Sequence, residues 1–558
     1  MKTYIIVIFL IAIITLNIFN KVKKRLYLLK KQKAKNYLHQ NFGKTTSKNH
    51  INLGAVQRDW ISISKNIPDK DKIDDITWFD LEMDQIYDEI NNCQSFAGEQ
   101  KLYSMLHTIG NHGTEYEAWK EKVEFFNNEE SERDEMWYLI SHLGKETDSY
   151  YLPMYIDNLE AFRIPNIDFY RFMRVLLFLS FIPAVATINY VYLWFPAFTA
   201  LANIVIYSIQ KNRYEAYLNM LSSILRIMRA AQQIVSSTEL KYESKFKDLS
   251  ERIHVFQKLL LIIGKLQYRF KSSISGDAMT LVESATFGIT LWDLIQYDKV
   301  IKQLIGHQRE LRALYEIIGQ IDAAISVASF RKSLPFYCMP QFDDKSVIEV
   351  KEIFHPFVKN PVYNSVTINK GCMITGANAS GKSTFIKVLA INAILGQSIN
   401  TCIASGFKMP HCAVVTSMAV RDEVASGESY YIKEIKYLKR IISLLNNDTI
   451  VFSVIDEILR GTNTNERIAA SASILKYIYE KNSITVVATH DIKLTEMLNG
   501  YFDCFHFKEH ISEKKMSFEY KIYSGPATST NALRLLEYME FPEKIIEEAE
   551  KISLGLCE

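Results

Sequence analysis

The sequence predicts a multidomain chain: an α-helical region carrying transmembrane helices, followed by an α/β domain built around a phosphate-binding P-loop. Three observations predict it. Two long stretches, Thr3–Asn20 and Val175–Gln210, contain no charged residue. The run 211–330 is almost free of Pro and Gly and is apolar at helical spacing. From about Pro335 to residue 510, short β-type runs alternate with helices, and one of them enters the glycine-rich loop Gly376–Thr384.

Composition sets the outer bounds. The chain has 558 residues, enough for two to four domains, with 48% apolar and 23% charged side chains, as in ordinary globular proteins. A net charge of +2 gives no global basic field that demands nucleic acid. The seven cysteines are scattered, with no CxxC pair and no zinc spacing, which suits a reduced, cytosolic setting.

The first element, residues 1–20, reads as a transmembrane anchor. Thr3–Asn20 as a helix would be about 27 Å long, near the hydrocarbon thickness of a bilayer. A cleaved signal peptide is the competing reading, but no small-residue cleavage site follows. Eight Lys/Arg between 21 and 35 place that flank in the cytoplasm. Residues 21–70 read as a basic, then mixed polar, cytoplasmic connector. The stretch 175–209 is long enough for two short spans, with Asn189, Tyr190, Tyr192 and Trp194 at an interfacial turn. Arg171 and Arg174 before it, and Lys211 and Arg213 after it, make an in–out–in hairpin. A buried helical hairpin in a soluble core is the alternative. Together these signals predict a multi-pass cell-membrane protein with three spans, its N-terminus outside and everything from 211 onward in the cytoplasm.

The helical region spans 71–334, interrupted by that hairpin. Trp78, Leu81, Ile86, Ile90, Leu102 and Leu106 recur at helical spacing. Leu218, Leu221, Ile224, Leu225 and Met228 form one later stripe, and Leu311, Leu314, Ile317 and Ile318 another. Both read as packing faces without chemistry of their own.

The α/β region, 335–558, holds the chemistry. Gly371–Thr375 reads as a buried strand, Gly376-Ala-Asn-Ala-Ser-Gly381-Lys382-Ser383-Thr384 as a P-loop, and the apolar run to Leu395 as its helix. Glycines let backbone N–H groups converge on phosphate oxygens at a helix N-terminus. Lys382 would reach the β- and γ-phosphates of ATP, and the Ser383 hydroxyl would ligate Mg²⁺. The apolar strand from Ile450 ends in Asp456-Glu457. Asp456 would hold Mg²⁺ through its water shell, and Glu457 would act as general base on the attacking water. A third strand, Ile484–Thr489, ends at His490, placed to sense the γ-phosphate; a structural histidine is the bland reading.

This order of motifs is of the ABC type, and the finer pattern resembles the MutS DNA mismatch-repair family. Thr375–Thr384 resembles that family's TGPNMGGKST, and Asp456–Thr464 resembles DEIGRGTST. Ala488-Thr-His490 is similar to ATH, and Ala425–Glu434 to ASGRSTFMVE. The tail from Gly525 and the segments Thr77–Leu81, Gly98–Tyr103 and His355-Pro356 also resemble family segments. The resemblance implies a MutS-type core and lever domain ahead of the ATPase domain. It implies ATP binding with Gly376, Asn378, Ser380, Gly381, Lys382, Ser383 and Thr384 around the nucleotide. It further implies a homodimer in which Ser429 reaches the partner's γ-phosphate, and DNA as a partner. The chain departs from the pattern at Leu459, where the family has Gly, and at Tyr430-Tyr431, where it has Thr-Phe. Pro361 stands where the family's adenine-stacking aromatic would fall, with Tyr363 beside it as the expected substitute. Only about 70 residues precede the core, too few for a mismatch-reading domain. Two readings follow: a membrane-anchored MutS-like ATPase acting on mismatched or branched DNA, or the same motor acting on a protein or membrane partner.

Overall fold

A computed structural model describes residues 2–44, 52–110, 113–238, 247–257, 259–260, 288–377, 380–418, 430–445, 449–460, 463–512, 515–526, 539 and 541–553. Helices fill the N-terminal part to Ser333, and α/β sheets with their helices follow.

The helical part assembles because its stripes meet. Trp78, Leu81, Ile86, Ile90, Leu102 and Leu106 are all buried on the short helices Asp75–Asp80, Met83–Ile90 and Phe96–His107. The 26-residue helix Gln308–Ser333 runs through the centre of this region. It has the length and hydropathy of a membrane span, yet 78% of its apolar window is buried inside the protein. It is therefore a core helix, as its stripe of apolar residues predicts.

The expected connector is more ordered than its composition implies. The N-terminal helix is continuous over Lys2–Asn41. Its last turns are pinned to the helix Glu130–Ser141: Lys31 and Lys35 lie 2.5 and 3.2 Å from Glu135, and His39 lies 2.7 Å from Asp134. Leu53–Ile63 is also helical and buries Ala55, Val56 and Trp60. Reading 21–70 as a linker weighed its charge and overlooked these few large apolar contacts.

The charge-free stretch forms a helical hairpin. It runs up through Ile167–Leu179 and Ile182–Thr187, turns at Tyr190–Leu193, and returns in a helix of 45 residues, Trp194–Thr238. Asn189 caps the turn by accepting the Val191 N–H. The two apolar arms, Leu159–Thr187 and Tyr190–Gln210, are only 11% and 22% buried. Phe178, Ile182, Val185, Ile188, Trp194 and Phe198 are all fully or half exposed. The stripe Leu218–Met228, lower on the same long helix, is buried against the helical core.

The α/β part contains ten strands among the described residues: β1 (Gln341–Phe342), β2 (Val347–Ile353), β3 (Asn364–Asn369), β4 (Gly371–Thr375), β5 (Gly406–Met409), β6 (Cys412–Ser417), β7 (Ile450–Asp456), β8 (Ser483–Ala488), β9 (Asp503–Ser512) and β10 (Lys515–Ser524). A small sheet has the order β1-β5-β2-β3, and the large one β10-β9-β4-β8-β7-β6. From β9 to β6 the large sheet is parallel, and β10 closes one edge antiparallel. Strands β4 and β8 are buried throughout, as expected for a parallel sheet covered on both faces.

The helical part grips this domain through several polar contacts, among them those of Arg331, Asp80 and Asp74. Arg331, fully buried, donates to Thr401 Oγ1 at 2.9 Å and to the Asn400 carbonyl at 2.7 Å, beyond the end of helix Lys382–Ile399. Asp80 accepts from Thr416 Oγ1 at 2.7 Å and the Met418 N–H at 2.9 Å, where β6 ends. Asp74 receives Arg440, 2.7 and 2.8 Å from its two oxygens. Cys338, in the segment joining the two parts, pairs antiparallel with Cys402 in an isolated bridge.

Candidate functional site

Three neighbouring strands deliver the sequence-predicted residues to one edge of the sheet. Ile374 of β4 is level with Ala488 of β8, and Ala488 with Asp456 of β7. The loop from Gly376, the pair Asp456-Glu457 and His490 therefore emerge side by side at the C-terminal ends of parallel strands. Open α/β sheets place their ligand sites at this edge.

The loop is shaped by its glycines. Gly376 has φ +136°, and a Cβ there would lie 2.9 Å from the Phe507 carbonyl oxygen. Gly381 has φ +103°, and its Cβ would lie 3.1 Å from the Tyr520 ring. Both conformations are rare for L side chains. Helix Lys382–Ile399 starts directly after Gly381, so its first N–H groups open onto the loop. The buried Lys382 side chain curls back, its Nζ 2.6 Å from the Gly376 carbonyl and 2.8 Å from that of Ala377. Ser380 is buried, and its hydroxyl has no hydrogen-bond partner among the described residues. Thr384 lines the adjoining cavity.

Ser383 and Asp456 face each other across the gap between the loop and β7, near enough for the serine hydroxyl to stabilise the carboxylate. Burial raises the Asp456 carboxyl above its ordinary range, and Ser383, Arg460 and Lys382 oppose that rise. These two hard oxygen groups, beside a basic loop, suit the chemistry of Mg²⁺. Glu457 lies one residue past the strand with φ +53°. Its carboxylate is held from two sides, 2.7 Å from Arg460 Nε and 3.2 Å from His490 Nδ1. Its backbone N–H donates to the Ala488 carbonyl at 2.9 Å, which fixes the turn against β8.

Beside the loop opens a cavity of about 790 Å³. Its walls include Gly381–Phe385, Glu457 and Arg460 together with 353–355, 358–362 and Asn364, and Phe507 and Tyr520 also line it. Tyr363, the expected adenine neighbour, instead packs on Phe336 and Phe354, ring centroids 5.1 and 5.5 Å away. The rings at the wall are Phe354, His355, Phe385, Phe507 and Tyr520. Burial, aided by Lys387, lowers the His355 pKa, which favours a neutral imidazole there.

The structure thus brings Gly376, Ser380, Gly381, Lys382, Ser383, Thr384, Asp456, Glu457 and His490 to one site. Asn378 and Ser429 lie outside the described residues. Arg460 was not among the residues expected at the site, although it stands inside the quoted motif; a cation three residues past the acidic pair is the only signal. Tyr520 arrives from the distant edge strand β10 and left no local signal.

Comparison with known proteins finds similarity in the same part of the chain. Residues 372–556 match the model of MutS domain V. The DNA mismatch repair protein MutS of Fervidobacterium nodosum is 30% identical over 268 residues, covering 46% of this chain and 32% of that protein. The human MutS protein homolog 4 is 26% identical over 274 residues, covering 46% and 29%. MutS of Streptococcus pyogenes serotype M1 is 26% identical over 263 residues, covering 45% and 31%. The chain spans about a third of the length of these relatives. Over residues 372–556, a third of its length, the chain is similar to MutS domain V, and this similarity supports membership of the MutS family.

Proposed function

We propose that this chain is a membrane-anchored MutS-type ATPase that hydrolyses ATP to ADP and phosphate. The observation that carries the reading is the convergence of Lys382, Ser383, Asp456, Glu457 and His490 at one sheet edge beside a cavity. In this reading the loop N–H groups and the first turn of helix Lys382–Ile399 cradle the phosphates. Lys382 exchanges its two backbone carbonyls for β- and γ-phosphate oxygens. Ser383 and Asp456 would hold Mg²⁺, which would supply charge neutralisation for the phosphate oxygens. Glu457 orients the attacking water and accepts its proton, and His490 contacts the γ-phosphate. Glu457 can take a proton from water only once Arg460 and His490 release part of its carboxylate. The site is completed across a homodimer, with Ser429 of one copy reaching the nucleotide of the other.

The hairpin supports a membrane partner. Two mostly exposed apolar arms joined by a Tyr/Trp turn are costly in water and favourable in a bilayer. With the N-terminal anchor they make a multi-pass protein whose ATPase domain faces the cytoplasm. A second reading, action on mismatched or branched DNA, rests on the relatives named as DNA mismatch repair proteins. The deciding measurement is ATP turnover of the detergent-purified protein, with and without homoduplex, mismatched and branched DNA, at two salt concentrations. Stimulation by DNA that fades with salt favours the DNA reading. Turnover that responds to lipid and ignores DNA favours the membrane reading. A Glu457→Gln variant should bind ATP and turn it over at least 100-fold more slowly; normal turnover would falsify the role of Glu457.

A further inference from the structure

No Asp or Glu occurs anywhere before Asp59, whereas Lys/Arg residues crowd the segment after the charge-free start of the N-terminal helix. Among the described residues, the ion pairs that dock helix Lys2–Asn41 on the protein begin at Lys31, through Glu135 and Asp134, with Tyr27 one turn earlier beside Tyr138. The preceding section from Asn17 to Lys30 projects with every side chain exposed. It alternates cations (Lys21, Lys23, Lys24, Arg25 and Lys30) with large apolar groups: Val22, Leu26, Leu28 and Leu29 are each more than half exposed. A helix turn that is at once basic and apolar suits a boundary between hydrocarbon and negative charge. A DNA backbone would satisfy the cations but leave the leucines in water.

We propose that helix section 17–30 is a recognition surface for anionic phospholipid headgroups, which seats the docked helix at a negatively charged membrane face. The inference rests on the membrane reading above and adds the chemistry of the lipid. Leucine and valine side chains enter the acyl boundary while the cations lie at headgroup level. Lys31 and Lys35, already held by Glu135, carry that position to the helical core, so headgroup charge helps set how the whole ATPase sits beside the bilayer.

The test uses the full chain in nanodiscs of phosphatidylcholine alone and of phosphatidylcholine with 30% phosphatidylglycerol. Lysines are labelled briefly with an amine reagent and read by mass spectrometry, with the exposed Lys439 as the internal reference. Expected is at least threefold protection of Lys21, Lys23, Lys24 and Lys30 in the anionic discs, largely lost in 0.5 M salt. Equal labelling in both discs overturns the lipid proposal while leaving the membrane reading intact. Failure to enter either disc, with extraction from native membranes by alkaline carbonate, instead defeats the membrane reading. Protection by a short DNA duplex equal to that by the anionic discs also overturns the proposal and assigns the surface to nucleic acid.

A separate observation carries a second inference. Cys338 and Cys402 exchange backbone hydrogen bonds of 3.0 and 2.8 Å across their bridge, a pairing that sets Cα atoms about 5.5 Å apart, within disulfide range. The Cys402 thiol donates to the Asn392 carbonyl at 3.6 Å; Cys338 is half-buried and Cys402 fully buried. We infer that the pair is a thiol–disulfide exchange site for small disulfides. The Cys338 thiolate attacks one sulfur of the small disulfide and expels one thiolate. Cys402, giving its proton to that thiolate, then attacks Cys338 sulfur and expels the second, so two electrons pass to the small molecule. The neighbouring Cys402 thiol lowers the Cys338 pKa, and burial raises that of Cys402, which fits these roles. With glutathione disulfide, the native protein should lose the mass of two hydrogens and join these cysteines in one peptide pair. A Cys402→Ala variant should stop as a stable adduct on Cys338. If both thiols stay free in the native protein, or it too stops as an adduct, the inference fails.

Discussion

Lys382 satisfies its ammonium with the carbonyls of Gly376 and Ala377, groups of the same loop that would surround a phosphate. Lys382→Ala should therefore leave the fold intact and weaken ATP binding at least tenfold, about 1.4 kcal/mol, as read by titration with a fluorescent nucleotide. Asp322 makes a prediction about pH. It is fully buried in helix Gln308–Ser333 and accepts from the Ser95 hydroxyl at 2.6 Å and from the N–H groups of Gln94 and Ser95. Burial pushes its pKa from 3.8 up to about 6. A carboxyl with a raised folded pKa contributes stability that is full below pH 3.8 and is lost as pH climbs through about 6. Between pH 4 and 7 the native protein should lose roughly 2 kcal/mol relative to Asp322→Asn, measured as the pH dependence of the difference in thermal stability. No change in that difference would refute the burial argument. At this scale the sequence was most legible where a motif dictates its own backbone, as from Gly376 to Thr384. It was least legible at Arg460 and Tyr520. The ion pair of Arg460 with Glu457 depends on a turn with φ +53° at Glu457 and +58° at Leu459, values that sequence pattern does not announce for such residues.

Among elements, the short helix Asp75–Asp80 ties the helical part to the exit of β6. Asp80 is 1% exposed, and its carboxylate serves a hydroxyl and a backbone N–H of the α/β domain. Removing it strands a buried donor. Asp80→Ala should cost about 2–3 kcal/mol in a thermal melt, and it should change ATP turnover while Asp69→Ala, at an exposed site, changes neither. The stripes at 73–109 and 211–330 were readable because helical periodicity is a long-range average over many residues. The helices at 21–41 and 53–63 were not, since a handful of buried groups such as Leu38 and Trp60 decides them against a polar background. The edge strand β10 was also hidden. Its pairing with β9 is a contact between elements, and it carries Tyr520 to the loop.

For the molecule as a whole, the placement of the hairpin matters most. A site-specific protease sequence inserted between Asn189 and Tyr190 should be cut only from the face opposite the ATPase domain in sealed vesicles. Cleavage from the ATPase side would show that the two exposed arms do not cross. The division into a helical part and an α/β part could be read from the sequence because Pro and Gly usage shifts near Pro335. The polar grip between the parts could not, because Arg331, Asp80 and Asp74 reach partners far away in sequence.

The helix Trp194–Thr238 joins the hairpin turn to the helical core without a break. At ~1.5 Å per residue its 45 residues make a rod of about 67 Å. A rigid rod converts angle into distance: each degree of tilt at the base sweeps the far end by about 1.2 Å. Side-chain adjustments near the sheet, too small to disturb packing, would arrive at the Tyr190–Leu193 turn as displacements comparable to the width of a lipid headgroup. The same geometry runs in reverse, so lateral pressure on the tip reaches the core as a torque with long mechanical advantage.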